Sequence, residues 1–460
     1  MGISIQIIGL ILSLAFLVFT HELGHLIFAR IFHTRVDKFY LFFNPGFSIM
    51  RMKKFEGSWH FSFFSSRVPD EWIDHPEKTE WGIGWLPLGG YCSINGMVDE
   101  TTKAGDLPEE PQPYEFRSKK SWQRFFIIIG GVLVNFISAL IIYSAVLFVW
   151  GEEIVKLKDA QDGLQFTQSA KQIGFRDRDK IVSIDGRVPE TISEFANSLL
   201  IDEPKSVLIN REGKNVEIQI PENFGQLVLA EGSGTFCDYY YPFVIDSVAD
   251  NSPAAIAGLA KGDSLVAINN IPMSSFFEFK SVLTDNKEKE IILAYSRNDS
   301  LYQDTLLLGK DGKLGVYPYG PQNLKAEKIE YGFFESFPEG ISKGFSTLGM
   351  YVKQFKLVFT KEGAQQLGGF GTIGSIFPKI WDWHRFWAMT GFLAIILAFM
   401  NILPIPALDG GYILFILIEM ISGKKPSDKF IGYANAIGFT LLIALLIYAN
   451  GMDIIRAFFK

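Results

Sequence analysis

Two histidines and a glutamate near the N-terminus have the spacing of a metal-dependent hydrolase. His21, Glu22 and His25 form the pattern His-Glu-x-x-His. On a helix, positions i and i+4 share one face, so both imidazoles can reach a single metal ion. Glu22 would lie beside the coordination position that stays open to water, where its carboxylate can accept a proton. The pattern therefore predicts a metal site with a glutamate as general base.

Such a site needs a third protein ligand, because a catalytic zinc ion leaves its fourth position to water. The best candidate is Asp409, which follows an apolar segment interrupted by Pro404 and Pro406 and precedes Gly410 and Gly411. Proline and glycine free the backbone from helical geometry. At membrane depth such backbone persists only where protein or a water-filled cavity covers it. The sequence leaves open that this acid only caps a turn, and that another divalent metal replaces Zn2+.

Four apolar segments must position these residues. They are Ile3–Thr20, which continues into the motif, Phe125–Val149, Phe386–Leu403 and Ala434–Tyr448. The first two meet or nearly meet the ~20 residues that a bilayer crossing needs, whereas the last two are marginal. An ionisable side chain at a helix centre costs on the order of 2.5–3.5 kcal/mol, and less near an interface. Metal ligation would offset that cost; the alternative is that the three side chains snorkel to the interface.

The composition agrees with a few membrane helices and a sizeable soluble part. The 460 residues are 48% hydrophobic, with a mean hydropathy of +0.18 and a formal net charge of -7. No long basic run indicates a nucleic-acid surface. A signal peptide is a poor alternative for the first segment, because no Lys or Arg precedes its apolar core. Cys92 and Cys237 are too few for a disulfide framework, and we expect free thiols.

Basic residues next to the apolar segments predict the orientation. They flank the loop between segments one and two and lie in the loop between segments three and four: Arg30, Arg35, Lys38, Arg117, Lys119, Lys120, Arg124, Lys424, Lys425 and Lys429. The positive-inside rule places both loops in the cytoplasm. Both termini and the stretch from about 151 to 384 are then expected outside.

The outer stretch contains a repeat. Residues 170–186 and 254–269 share a short helix, a turn at glycine, an aspartate and a β-branched strand. The second copy closely resembles the core pattern of PDZ domains, whereas in the first copy Arg178 stands where that pattern has glycine. PDZ folds offer a strand edge and a groove to an extended peptide. The pair either binds a peptide or acts as a filter or spacer, and the sequence does not decide.

Two further segments allow alternative interpretations. Apolar residues at helical spacing over Phe333–Phe359 indicate a helix. This helix either lies on the membrane and transmits the position of the PDZ pair to the active site, or packs against the core without a signalling role. Gly340–Gly344 matches the G-x-S-x-G nucleophile pattern. Because no strand precedes it and its surroundings are typical of an amphipathic helix, we interpret this match as accidental.

The region between the first two apolar segments predicts a small interfacial sheet. Tyr40–Phe64 alternates apolar and polar residues, and Gly89–Ile94 adds a further strand. We expect an edge of this sheet, including Ser93 and Ile94, to pair with the substrate and unwind it by β-augmentation. The alternative is a sheet that only packs against the membrane surface.

With these motifs in place, the chain resembles the site-2 protease family of intramembrane zinc metalloproteases, in its bacterial RseP branch. The resemblance rests on HELGH (21–25), WLPLGGY (85–91), GVLVNF (131–136) and NILPIPALDGG (401–411). Val132 stands where the family usually has proline. The four apolar segments and the two PDZ-like copies also agree with this branch, so the resemblance covers most of the chain.

The resemblance implies roles for individual residues. His21, His25 and Asp409 would ligate Zn2+, and Glu22 would be the general base. Asn135 and Asn401 would line the cleft and hold the substrate backbone. The resemblance also implies substrates that are single-span membrane proteins already trimmed outside, such as anti-sigma factors, and remnant signal peptides. The protein would reside in the bacterial inner membrane, with the PDZ pair in the periplasm as a filter and the active site toward the cytoplasm.

The expected fold is a polytopic α-helical membrane protein with four transmembrane helices, two tandem β-rich PDZ domains in the outer loop and a small membrane-associated β-sheet. The expected divisions are a first helix at 1–33, a β region at 34–124, a second helix at 125–150, PDZ domains at 151–225 and 226–320, an amphipathic connector at 321–384 and the last two helices at 385–460. Two other functions remain possible from the sequence: an inactive scaffold that binds through its PDZ pair, and a zinc transporter. Neither explains why Glu22 accompanies a complete ligand set.

Overall fold

The computed structural model describes residues 2–87, 89–97, 110–231, 235–273, 275–310, 312–319 and 326–459. Leu88 of the WLPLGGY segment and residues 98–109 of the expected β region lie outside the described residues. The chain forms two compact units. The first comprises Met1–Gly151, Glu330–Val358 and Gln365–Lys460, and the second comprises Glu152–Ile329 and Phe359–Ala364.

The helices are named in chain order. They are α1 (Gly2–Ile31), α2 (Ser121–Trp150), α3 (Gln168–Gln172), α4 (Ile192–Asn197), α5 (Phe224–Glu231), α6 (Pro253–Ile256), α7 (Phe276–Asp285), α8 (Ser336–Phe355), α9 (Lys361–Gln365), α10 (Phe370–Ser375), α11 (Trp383–Ile402), α12 (Asp409–Ser422) and α13 (Asp428–Phe459).

The strands are named in the same way. They are β1 (Val36–Leu41), β2 (Ser48–Phe55), β3 (Ser58–Ser65), β4 (Glu80–Ile83), β5 (Tyr91–Ile94), β6 (Glu152–Ile154), β7 (Leu164–Phe166), β8 (Lys180–Ile184), β9 (Ser206–Arg211), β10 (Lys214–Gln219), β11 (Cys237–Tyr239), β12 (Ile245–Val248), β13 (Ser264–Ile268), β14 (Ile271–Pro272), β15 (Glu290–Arg297), β16 (Ser300–Leu307), β17 (Val316–Pro318) and β18 (Glu327–Ile329).

Four helices in the described part of the chain are long and apolar enough to cross a membrane: α1, α2, α11 and the stretch Lys429–Phe458 of α13. All four predicted segments are therefore confirmed as helices of this kind. The predicted fourth segment, Ala434–Tyr448, is much shorter than α13, which has 32 residues. The prediction was too short because polar residues end the apolar run on both sides, whereas the backbone hydrogen bonds of the helix continue through those residues.

Within the first unit, α2 packs against α1, α8, α11 and α12. Glycines allow two of these close approaches. A Cβ on Gly24 of α1 would lie 2.2 Å from the carbonyl oxygen of Gly130 on α2. Gly340 and Gly344 lie one turn apart on α8, and a Cβ on Gly340 would lie 2.3 Å from Ser144 Oγ of α2. Small residues let membrane helices pack backbone to backbone. The Gly340–Gly344 pattern thus serves helix packing, whereas apolar residues of the same helix such as Phe345 and Val352 are exposed. Both interpretations of this segment therefore stay open.

A five-stranded sheet of order β3-β2-β4-β1-β5 follows α1. The pair β1–β4 is parallel and the other pairs are antiparallel. Two polar contacts connect α1 with the sheet. Arg30 Nη2 donates to Thr79 Oγ1 at 2.5 Å, and the buried Thr79 hydroxyl donates to the Val36 carbonyl of β1 at 2.7 Å. The strand β5 lies at one edge of the sheet and also contacts α1. The predicted sheet therefore exists, with the predicted edge strand next to the helix that carries the histidine motif; its position at the membrane interface stays a prediction.

The second unit contains two hydrophobic cores, one for each copy of the repeat. The first core is formed by residues between Leu157 and Cys237, and the second by residues between Phe243 and Leu314. Because β11 pairs back onto β7, the first module extends past the expected boundary at residue 225. Each copy thus buries its own apolar residues.

Each of the two modules contains a bidentate ion pair between an arginine and an aspartate, in the same arrangement. In the first, Arg211 donates to both carboxylate oxygens of Asp179 at 2.8 Å and to the Gly174 carbonyl at 2.8 Å. The carboxylate also accepts the backbone N–H of Arg176 at 2.7 Å. Such bidentate, charge-assisted pairs are geometrically specific.

In the second module, Arg297 donates to both oxygens of Asp263 at 2.6 and 2.7 Å and to the Gly258 carbonyl at 2.9 Å. The turn before the aspartate also agrees between the copies, since Arg178 has φ +72° where Gly262 has φ +91°. The left-handed turn is therefore kept in the first copy although arginine replaces glycine there.

Candidate metal centre

Three ligand atoms from distant parts of the chain converge at one point. Nε2 of His21 lies 3.2 Å from Oδ2 of Asp409 and 3.2 Å from Nε2 of His25, and the His25–Asp409 distance is 3.5 Å. Around a tetrahedral zinc ion with metal–ligand distances of ~2.0–2.1 Å, ligand atoms lie about 3.3–3.4 Å apart. The observed triangle has this size. Within the described ranges, no other group of His, Cys, Asp or Glu has this metal-ligand geometry.

The donor atoms also have the chemistry that zinc requires. Oδ2 of Asp409 is buried, and within the described residues it faces the Nε2 atoms of His21 and His25 without a hydrogen bond of normal geometry to either. A buried carboxylate oxygen left unpaired is costly unless a cation compensates it. Imidazole nitrogen and carboxylate oxygen are both ordinary zinc ligands. The residues present therefore fit a zinc ion with one position left for water.

The position of α1 against α2 depends on a glycine directly under the site. A Cβ on Gly131 would lie 2.5 Å from His25 Nε2 and 2.8 Å from His21 Cε1. Any side chain there would displace the imidazoles, so glycine is required. Gly131 belongs to the GVLVNF segment on which the family resemblance rests, but its packing role beneath the histidines was not predicted. The adjacent glycines Gly130 and Gly131 within a long apolar segment could have indicated a close helix contact.

The third ligand is placed by a short loop between α11 and α12. Asp409 occupies the first turn of α12, where the helix dipole favours a negative charge. A Cβ on Gly410 would lie 2.0 Å from the Leu403 carbonyl oxygen, so the loop folds back closely on the helix start. Ala407 has φ +75°, and its N–H donates to Oδ1 of Asn435 on α13 at 3.3 Å. A side chain from the last helix thus braces the loop that carries the carboxylate, which the sequence did not reveal.

Hydrogen bonds to α2 orient the histidines. Nδ1 of His25 lies 3.0 Å from the carbonyl oxygen of Ile127. This contact directs Nε2 toward the triangle, as second-shell acceptors commonly do at metal sites. Asn135 is fully buried; its amide oxygen lies 2.8 Å from Thr20 Oγ1 and its amide nitrogen 3.4 Å from His21 Nδ1.

The remaining sequence-predicted residues lie around the same centre. Asn401 Nδ2 is 3.5 Å from His21 Nε2, on the side of the ligand triangle. Glu22 is within electrostatic reach of His21, His25 and Asp409, and its carboxylate accepts a hydrogen bond from the backbone of Cys92 on β5. The structure therefore brings both asparagines and the glutamate to the histidine pair.

Ser93 and Ile94 continue β5 beyond Cys92. The Ile94 side chain is only 3% exposed and belongs to a core shared with α1, α2 and α12. Any contact that Ile94 makes with a substrate would therefore involve its backbone and not its side chain.

Comparison with known proteins decides the family. The model for peptidase family M50 matches residues 9–66 and 72–445 and so includes every residue of the ligand triangle. The chain belongs to peptidase family M50. It is a metalloprotease, and His21, His25 and Asp409 are a group of described residues whose geometry could hold a metal ion.

Relatives in this family match over their whole lengths. A Campylobacter jejuni protein, assigned by name to the zinc metalloproteases, is 24% identical over 456 residues, which are 98% of this chain and 94% of the relative. The regulator of sigma E protease of Haemophilus influenzae is 25% identical over 477 residues, 97% of this chain and 98% of the relative. The PDZ domain of an SdrC-like protein from Listeria monocytogenes is 25% identical over 17% of this chain and 88% of that domain, with a TM-score of 0.16.

Proposed function

We propose that this metalloprotease is an intramembrane zinc protease that hydrolyses peptide bonds within the transmembrane segments of single-span membrane proteins. The observation that carries the proposal is the triangle of His21 and His25 on α1 with Asp409 at the start of α12. The helix α1, like its neighbours α2 and α11, is long and apolar enough to cross a membrane. A protease centre on such helices is suited to a substrate that is itself embedded in the bilayer.

The proposed roles follow from the geometry. His21, His25 and Asp409 hold zinc, which when bound supplies a Lewis acid for the scissile carbonyl and for water. Glu22 accepts the proton of the attacking water and delivers it to the leaving amine. The Asn401 amide, on the open side of the His21 ring, donates to the substrate backbone. The low-dielectric surroundings strengthen each of these polar interactions.

A helical substrate must be unwound before its carbonyls become accessible, and β5 is suited to this task. It is an edge strand, and the backbone of Cys92 within it donates a hydrogen bond to the Glu22 carboxylate. The N–H of Asn95, one residue after β5, donates to the carbonyl of Arg35, one residue before β1. By the alternation of an antiparallel strand, the N–H of Ile94 points away from β1. An extended substrate segment added at this edge would lie beside the proposed base.

The wider proposal concerns topology and biology. Basic residues around α1, α2 and α12 support placing their loops in the cytoplasm of a bacterium, with the protein in the inner membrane and residues Glu152–Ile329 of the second unit in the periplasm. The two modules of the second unit, whose ion pairs and cores repeat, are proposed as PDZ domains divided between Tyr239 and Phe243.

The Haemophilus relative is named as a regulator of sigma E protease. This name supports anti-sigma-factor-like proteins as substrates in regulated intramembrane proteolysis. Remnant signal peptides are proposed as further substrates because they too are single apolar spans. The PDZ pair would then either bind the trimmed end of such a substrate or exclude untrimmed ones.

Cleavage of a single-span model substrate by the purified, reconstituted protein tests the proposal, with mass spectrometry to locate the cut. The expected result is a cut within the span by the parent and none by Glu22→Gln at equal zinc content. Removal of a catalytic base typically costs 10²–10⁴-fold in rate. Equal cutting by both proteins would show that Glu22 is not the base. A cut outside the span would contradict the intramembrane assignment.

A further inference from the structure

We propose that Asn135, together with Thr20, is a positioning residue that sets the tautomer of the ligand His21. The inference rests on the proposed zinc site and deepens it, because it gives a different task to a side chain that the sequence assigned to the substrate cleft. A neutral imidazole ligates a metal through the nitrogen that carries no proton. The other ring nitrogen then carries the hydrogen and needs an acceptor.

For His21 the two ring nitrogens are clearly assigned by position. Nε2 faces Asp409 Oδ2 at 3.2 Å and His25 Nε2 at 3.2 Å, so this atom points to the ligand centre. Nδ1 faces away from that centre, toward the Asn135 amide at 3.4 Å. Ligation through Nε2 therefore requires Nδ1–H to donate to Asn135, which must present its oxygen.

Thr20 allows the amide to adopt this orientation. Its Oγ1 lies 3.0 Å from each of the backbone carbonyl oxygens of Phe16 and Leu17. Carbonyl oxygens only accept, so the single hydroxyl proton goes to one of them and Oγ1 can accept from the Asn135 NH2 group. A 180° rotation of the amide about χ2 exchanges its oxygen and nitrogen at the same positions. The chain of hydrogen bonds then runs from His21 Nδ1–H to Asn135 Oδ1, and from Asn135 Nδ2–H to Thr20.

The opposite amide orientation has a defined consequence. With the amide nitrogen toward His21, Nδ1 must accept, so the ring proton moves to Nε2 and points into the ligand triangle. The orientation of Asn135 and the ability of His21 to ligate are therefore coupled. His25 shows the same design with a backbone acceptor, since its Nδ1 faces the Ile127 carbonyl at 3.0 Å. Both orienting groups come from α2.

Burial separates this role from a substrate contact. Asn135 has an exposed fraction of 0%, whereas Asn401, on the Nε2 side of the same ring, is partly exposed. A side chain enclosed between α1 and α2 cannot reach a substrate backbone without rearrangement of both helices.

Zinc affinity of the full-length protein in detergent, measured by chelator competition, tests the proposal alongside the visible absorption spectrum of the Co2+ form. Asn135→Leu removes the acceptor and is expected to weaken zinc binding 10- to 100-fold, in line with other second-shell losses, and to alter the Co2+ spectrum. Asn135→Asp keeps an acceptor toward Nδ1–H and should restore zinc affinity to within a few-fold of the parent.

A pair of threonine variants provides an independent test that does not alter the asparagine. Thr20→Val removes the hydroxyl that fixes the amide and should weaken zinc binding several-fold. Thr390→Val is the matched control, because Thr390 is also a buried helix residue, on α11, and its hydroxyl bonds only the Phe386 carbonyl among the contacts in the described chain. It should leave zinc affinity unchanged. Unfolding midpoints of the metal-free proteins establish that each variant folds. If Asn135→Leu does not fold, the zinc affinities of Thr20→Val and Asn135→Asp test the proposal.

Three outcomes would overturn the proposal. Unchanged zinc affinity and Co2+ spectrum in Asn135→Leu, with a raised KM, would make Asn135 a substrate contact. Equal losses in Asn135→Leu and Asn135→Asp would indicate a packing role only. Equal effects of Thr20→Val and Thr390→Val on zinc affinity would exclude the role of the Thr20 hydroxyl in orienting the Asn135 amide. Failure of the parent to cleave within a membrane span, with zinc still bound, would affect the proposed function alone.

Discussion

Gly131 of α2 lies directly beneath His25 of α1, so close that a Cβ on the glycine would lie 2.5 Å from the imidazole Nε2. A larger residue at position 131 would therefore clash with His25 Nε2, which is the atom that must face the metal. Helix packing and ligand geometry are not separable at this point of the molecule.

Gly131→Ala is accordingly expected to abolish tight zinc binding, because the added methyl group displaces both imidazoles. Zinc content after purification and chelator competition measure the effect. Gly349→Ala is the matched control, since a Cβ on this α8 glycine meets nothing within 4 Å. It should keep its zinc and gain up to about 1 kcal/mol of stability from helix propensity. Full zinc occupancy in Gly131→Ala would contradict the packing argument.

A proline in β5 should reduce turnover without loss of zinc. Ile94→Pro removes the N–H that faces away from β1, so an added substrate strand would lose one backbone hydrogen bond. Ile94→Val keeps that N–H and nearly the same buried volume, and is expected to retain most of the activity. Ser93→Pro should also reduce turnover, but it disturbs the pairing with Lys38 of β1 as well. Cleavage rates and zinc content are measured together. Parent-like turnover in Ile94→Pro would contradict substrate pairing at this edge.

The second outer module should lose stability in acid through Asp263. Burial opposes ionisation of this carboxyl, but the hydrogen bonds and charge of Arg297 outweigh it and hold the pKa of Asp263 below its usual value. A carboxyl with a lowered folded-state pKa contributes stability above its unfolded pKa of ~3.9, and this stability is lost as the pH falls further.

Unfolding curves between pH 3 and pH 7 would measure this contribution. Asp263→Asn should remove it, destabilise the module because the Arg297 guanidinium and the Ala260 N–H lose their carboxylate acceptor, and flatten the pH dependence below about pH 4. Replacement of the exposed Asp250 by Asn is the control and should have an effect within ~0.5 kcal/mol. An unaltered acid transition in Asp263→Asn would contradict the assignment.

Cys237 should be inert to thiol reagents until the first outer module unfolds. The side chain is 3% exposed, and burial, with a smaller contribution from Asp238, raises the pKa of its thiol. The thiolate is the reactive species, so both accessibility and ionisation disfavour labelling. In a Cys92→Ser background, labelling by an uncharged maleimide should be slow in buffer and fast in urea. Rapid labelling of the native protein would contradict the burial of β11.

The sequence by itself determined the chemistry and the number of membrane-length helices. The i, i+4 spacing of His21 and His25, the long apolar segments and the repeated Gly-x-x-x-x-Asp turns are local patterns, and local backbone geometry follows from neighbouring residues. The choice of Asp409 as third ligand also came from its local context of prolines and glycines. The structure brings this carboxylate to the histidines.

Tertiary structure decided what no local pattern contains. The Gly131–His25 contact, the Asn435 brace on the Ala407 loop and the buried Thr20–Asn135–His21 chain each join residues on different helices. Asp179 and Asp263 form ion pairs with Arg211 and Arg297. Each arginine lies more than thirty residues after its aspartate, outside the repeated segments 170–186 and 254–269. The physical reason is that close packing and hydrogen bonding select partners by distance in space, whereas hydropathy and periodicity report only which face of a single element is apolar.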